Sequence, residues 1–122
     1  MKLFLILGAI NGFLAVALGA FGAHGLEGRI SEKALNTWEK AVNYQMFHTM
    51  ALLVTGLLIS KIENVSVMWA GWIFFIGIIL FSGSLYIYSV SGIKTFAMIT
   101  PLGGVAFLIG WVLVGYAVVK YL

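Results

Sequence analysis

The sequence predicts an all-α integral membrane protein: a transmembrane bundle of four helices with a short helical connection between the first two. Composition, charge spacing and run length point there together. Hydrophobic residues fill 62% of the 122 positions and charged residues only 9%, against about 45–50% and about 25% in ordinary soluble domains. A soluble chain this small must wet much of its surface, and eleven charged residues are too few for that. Four runs carry no Asp, Glu, Lys or Arg: Leu3 to Leu26, Ala41 to Ser60, Asn64 to Ile93 and Thr95 to Val119. Each reaches the ~20 residues a helix needs to cross a hydrocarbon core. Backbone polar groups in lipid must be satisfied within the segment or in a closed barrel. Barrel strands would alternate apolar and polar residues over ~10 positions, and these runs do not.

Residues 1–122 are read as one transmembrane domain with spans at 3–23, 41–61, 66–90 and 95–119. The apolar core of span 1, Leu3 to Phe21, exceeds the ~7–15 residues of a secretory signal, so it is read as a true span. Four crossings put both termini on one side, the near side. The 26–40 connection is long and lies on the far side. Ser31 is its expected N-cap, with Glu32 in the first turn of the helix. Leu35, Trp38 and Val42 then share one helical stripe, and the helix either continues into span 2 or lies along the interface. Lys61 to Asn64 makes a tight near-side turn, and Gly92 offers a left-handed helix ending before span 4. In span 4, Pro101 either starts the helix behind Thr100 or bends a helix that began near Thr95; the sequence favours the bend.

Aromatic residues gather at bilayer interfaces. Trp69, Trp72, Tyr116 and Tyr121 mark the near side, and Trp38, Tyr44, Tyr86 and Tyr88 the far side. Trp111 falls mid-span, so its indole N–H is expected to point inward toward an acceptor. With the amino terminus counted, the basic groups divide evenly, Lys2, Lys61 and Lys120 on the near side and Arg29, Lys33, Lys40 and Lys94 on the far side, and give no orientation.

Fifteen glycines are about twice the average share. Gly8 and Gly12 form a GxxxG pair, continued by Ala15, Gly19 and Ala23, and such small-residue stripes let helices touch closely. One reading is packing of span 1 within the chain; the other is a homo-oligomer surface. Gly103 and Gly104 after Pro101 are expected to admit another backbone, and Gly71, Gly77, Gly83, Gly110 and Gly115 to serve internal packing.

No acidic or basic residue lies deep in a span, so the usual coupling groups of ion-driven transporters are missing. The remaining polar residues favour the far half: Tyr44, Gln45, His48, Ser82, Ser84 and Thr100, with His24 at the far mouth of span 1. Tyr44, Gln45 and His48 share a helical face. Together these seven predict one polar pocket opening to the far side, roofed by the 26–40 connection, with His48 at its centre. His48 is either a buried histidine satisfied between helices or a ligand-binding group. Asn11 is expected to bond between helices. Two histidines alone lack the ligand count of a specific metal site, and no cysteine is present. The sequence therefore assigns no metal, no cofactor, no nucleic-acid partner and no catalytic residue. No nucleophile–base arrangement or phosphate-binding loop is visible.

Several stretches are similar to a small family of multi-span bacterial membrane proteins that includes YwdK and YgdD. They are residues 19–26 (GAFGAHGL), Trp38, 41–48 (AVNYQMFH), 81–86 (FSGSLY), 99–104 (ITPLGG) and Gly110-Trp111. The resemblance covers nearly the whole chain, implies a multi-span inner or plasma membrane protein, and supplies no activity. Functionally, the chain reads as a non-enzymatic binding or accessory protein in the bilayer whose pocket takes a lipid or small molecule. The alternatives are a small oligomeric transporter or channel, and a metal or haem protein using His24 and His48.

Overall fold

Lys2–Phe21 forms α1, which widens into one π turn at Gly22–Leu26. Gly28, at φ 80°, takes a left-handed conformation that lets the chain reverse. Ser31 then caps α2, Glu32–Leu58, its hydroxyl accepting the Ala34 amide at 3.0 Å. Of the two courses the sequence left open for this connection, the continuous helix into span 2 is the one formed. After a near-side turn, Asn64 caps α3, Val65–Ile78, by accepting the Ser66 amide at 2.9 Å. A π turn at Ile79–Gly83 links α3 without a break to α4, Ser84–Ser91. Gly92, at φ 70°, ends that rod, its amide donating to the Tyr88 carbonyl. The last helix, α5, runs Lys94–Tyr121 unbroken with Pro101 inside it, so it does not start there. Thr100 supports that turn by donating to the Phe96 carbonyl at 3.3 Å.

The computed structural model describes residues 2–122, and they form four antiparallel rods. Three of them, Lys2–Leu26, Val65–Ser91 and Lys94–Tyr121, are long and apolar enough to cross a membrane. The fourth, α2, is equally long at 27 residues but more polar, because Asn43, Gln45 and His48 interrupt its apolar run. Two of those side chains have protein around them: α2 packs against α1, α3 and α4, and Gln45 and His48 are buried while Asn43 is exposed.

Two helix pairs supply most of the packing. Along α1 and α2, Leu5 faces Gly56, Gly8 faces Leu53, Gly12 faces Thr49 and Gly19 faces Val42. Each advance along one helix is matched by an equal retreat along the other, so one antiparallel register holds over the whole pair. A methyl added at Gly8 would lie 2.6 Å from Leu53 Cδ2, and one at Gly19 3.3 Å from Val42 Cγ1. At Gly12 the distance to Thr49 Cγ2 is 3.5 Å, an ordinary contact. The small-residue stripe thus packs span 1 within the chain.

The second pair, α3 with α5, keeps its own constant register through alternating glycine–phenylalanine contacts. Gly110 receives the Phe74 ring, Gly77 the Phe107 ring, and Gly103 meets the Phe81 backbone itself. Gly104 does not share that role: an added Cβ there would find only the Phe81 ring, at 3.9 Å. Gly83 and Gly115 meet nothing within 4 Å and are not packing glycines. The buried core of Phe4, Leu52, Phe74, Ile78 and Phe107 lies where the two pairs join. Among the described residues α1 and α5 do not form a packed pair. The bundle is therefore open, with α1 outside α2 and α5 outside α3, and a groove on each flank.

Candidate functional site

The polar residues expected to share one pocket are divided by the fold into separate groups. The first centres on His48, 3% exposed, whose ring stacks on Phe107 at a centroid distance of 3.5 Å and 7° between planes. Its Nδ1 lies 2.9 Å from the Tyr44 carbonyl, and Trp111 Nε1 donates to its Nε2 at 3.1 Å. A carbonyl only accepts and an indole N–H only donates. The ring is therefore the neutral tautomer with its proton on Nδ1, and both nitrogens are engaged. Trp111 thus turns its N–H inward to an acceptor, as its mid-span position requires. The hydroxyls expected around His48, on Ser82, Ser84 and Thr100, bond elsewhere.

These residues line the groove between α2 and α5, a cavity of about 380 Å³ bordered by Asn43, Tyr44, Phe47, His48, Gly104, Phe107, Leu108 and Trp111. It exists because the bulky side chains Phe107 and Trp111 bridge two helices that do not pack closely. Bare Gly104 leaves the space beside them open. The groove is aromatic and apolar over most of its length, not the polar pocket the sequence suggests. Its polar end is Asn43, exposed near the far side, with Tyr44 beside it stacked on Phe81 at 4.4 Å.

The second group lies on the opposite flank of α2. Asn11 Nδ2 donates to the Leu7 carbonyl at 2.9 Å, Gln45 Nε2 to Asn11 Oδ1 at 3.0 Å, and the Tyr86 hydroxyl to Gln45 Oε1 at 2.7 Å. Asn11 does bond between helices, as its place in span 1 suggests, but its partner Gln45 belongs to the set assigned to His48. Both amides are buried, at 5% and 4% exposure. Tyr86 and Trp38, counted from sequence as interfacial, instead turn inward: Trp38 wedges over Gly22 and donates to the Leu18 carbonyl at 2.9 Å.

The serines serve as helix ties. Ser82 donates to the Ala41 carbonyl at 2.7 Å, joining the π turn to α2, and Ser84 pairs with Thr100 at 2.6 Å, joining α4 to α5. His24 is exposed on the π turn after α1 and outside both grooves, so it is not a partner of His48. The 26–40 connection does not roof a pocket; its Leu26, Leu35 and Trp38 pack with Val42 in a small far-side core. Among the described residues no three His, Cys, Asp or Glu side chains converge on a metal-sized space. Sequence reading missed Phe107 and the joining of Asn11 to Gln45. The available signal was the amides themselves, since an Asn and a Gln inside spans need partners on other helices.

A family described as protein of unknown function (DUF423) matches residues 18–104. The chain is 57% identical over 123 residues to the UPF0382 membrane protein YwdK of Bacillus subtilis, covering 100% of both chains. It is 55% identical over 121 residues to a UPF0382 membrane protein of Staphylococcus aureus, covering 99% of this chain and 98% of the relative. A UPF0382 membrane protein of Staphylococcus epidermidis is 52% identical over 121 residues, with the same coverage. No solved structure matches the chain.

Proposed function

The chain belongs to the DUF423 family as a multi-pass membrane protein, and we propose that it is a non-enzymatic lipid-holding protein whose site is the α2–α5 groove. The observation that carries this reading is the order of chemistry along the groove. Asn43 lies three residues beyond Lys40, about 5 Å into the span at 1.5 Å per residue, where lipid headgroups and glycerol oxygens lie. Beyond it, Gly104, Phe107, Leu108 and Trp111 continue inward as an apolar track. Such a gradient suits an amphiphile with its head at the far side and one chain laid along α5. The engaged nitrogens of His48 favour holding over catalysis, since neither is free to move a proton in the groove.

Gly104 gives the test. A Cβ there meets nothing closer than the Phe81 ring at 3.9 Å, and Gly104 lines the groove, so Gly104→Phe is expected to fill the groove without its Cβ displacing backbone. Purified in mild detergent and weighed by native mass spectrometry, the wild type should retain a diacyl lipid that Gly104→Phe has lost. Equal lipid retention by the two proteins would overturn the proposal.

A further inference from the structure

The groove on the other flank of α2 carries a different chemistry. We propose that it is a second binding site, for a neutral carbonyl compound dissolved in the bilayer interior. The cavity measures about 370 Å³ between α1 and the α3–α4 rod. Its mouth is formed by exposed apolar side chains, including Ile10, Leu14 and Ile79, and its floor by buried Asn11, Gln45 and Ser82.

The hydrogen-bond accounts of the floor name the ligand class. Each carboxamide nitrogen carries two N–H donors. Asn11 gives one to the Leu7 carbonyl and Gln45 gives one to Asn11. The second N–H of each has no protein acceptor among the described residues. Unused acceptor lone pairs are tolerated more readily than unpaired N–H groups, and an unpaired donor in hydrocarbon is costly. The floor therefore asks for an uncharged acceptor oxygen, and a carbonyl supplies one without bringing a further donor of its own.

Depth decides between two sources of such an oxygen. Asn11 lies nine residues along α1 from Lys2, about 14 Å at 1.5 Å per residue, or near the middle of a hydrocarbon core about 30 Å thick. The ester carbonyls of a phospholipid are anchored at the edge of that core by their headgroup. A quinone with an isoprenoid tail has no charged head and carries its carbonyls into the interior. The apolar mouth fits its tail, and the amide floor fits a ring carbonyl.

The experiment uses the full chain in lipid nanodiscs with an isoprenoid naphthoquinone labelled at its carbonyl carbons, read by infrared spectroscopy. Wild type should show a second, lower-frequency carbonyl band, from the hydrogen-bonded ring, that saturates at one quinone per chain. Leu14→Trp and Ile10→Trp, at exposed mouth positions that leave the amides untouched, should each abolish it. Gly104→Phe, which fills the groove of the first proposal, should retain it, so the two proposals fail separately. The inference is overturned if the band is absent from wild type or persists in both mouth variants. It is also overturned if Gly104→Phe removes the band, or if phospholipid labelled at its ester carbonyls gives the same saturable band.

Discussion

At the scale of single residues, the Asn11–Gln45–Tyr86 chain has a direction fixed at one end. The Leu7 carbonyl can only accept, so it takes the Asn11 nitrogen; that turns Asn11 Oδ1 to Gln45 Nε2, and leaves Gln45 Oε1 for the Tyr86 hydroxyl. Gln45 is the shared link. Gln45→Leu should strand a buried oxygen on Asn11 and a hydroxyl on Tyr86, costing about 1–3 kcal/mol for each. The triple variant Asn11→Leu, Gln45→Leu, Tyr86→Phe leaves nothing stranded and should unfold at a higher temperature than Gln45→Leu alone in the same detergent. If the triple variant is the less stable of the two, the chain is not acting as a unit. The sequence makes every member of this chain visible as a polar residue in a span. Their grouping is hidden, because it depends on which helix lies beside α2 and on how far a Gln or Tyr reaches across.

At the scale of elements, the helices, the Ser31 cap and the Gly92 ending are readable because each rests on local chemistry: unbroken apolar runs, a hydroxyl before a helix and a glycine after one. The π turn at Ile79–Gly83 is not readable, since nothing in its apolar run distinguishes it from the flanking turns. The adjacent glycines 103 and 104 show the same limit. Both follow Pro101 and look alike in sequence, yet one faces the Phe81 backbone and the other an open groove. A Cβ on Gly103 would overlap the Phe81 backbone, so Gly103→Ala should force α3 and α5 apart at a cost of about 1–3 kcal/mol. Gly104→Ala should change stability by less than about 0.5 kcal/mol. Thermal unfolding of the two variants side by side decides the matter; equal losses would mean the α3–α5 register is wrong.

At the scale of the whole molecule, the two registers set the ends of all four rods. Phe4 meets Trp72 at a ring-centroid distance of 5.5 Å, and Val67 and Ala117 share a buried cluster with Ile62. Lys2, Lys61 and Lys120 therefore lie at one end of the bundle, and Lys33 and Lys94 at the other. Because the chain has no cysteine, single cysteines at these five positions can be labelled in intact cells with a membrane-impermeant reagent. Lys2→Cys, Lys61→Cys and Lys120→Cys should react alike, and Lys33→Cys and Lys94→Cys in the opposite sense. A split within either group would contradict the four-span topology. Sequence reading reaches this level well, because charge-free runs count the crossings. It does not reveal that the bundle is open, because the groove between α2 and α5 follows from bulky and bare positions, Phe107, Trp111 and Gly104, whose neighbours only the fold supplies.

The division of the packing into α1–α2 and α3–α5 also bears on how the chain enters its membrane. Each pair is an antiparallel hairpin with an interface of its own, and along the chain the two are linked by the short stretch from Ile59 to Asn64. The first hairpin closes the Asn11–Gln45 bond by itself, so its buried amides need not wait unpaired in lipid while the rest is synthesised. When the second hairpin arrives, Tyr86 and Ser82 present hydroxyls to the Gln45 side chain and the Ala41 carbonyl, two acceptors already in place. The fold therefore predicts insertion in two steps, the first hairpin acting as the template on which the second docks.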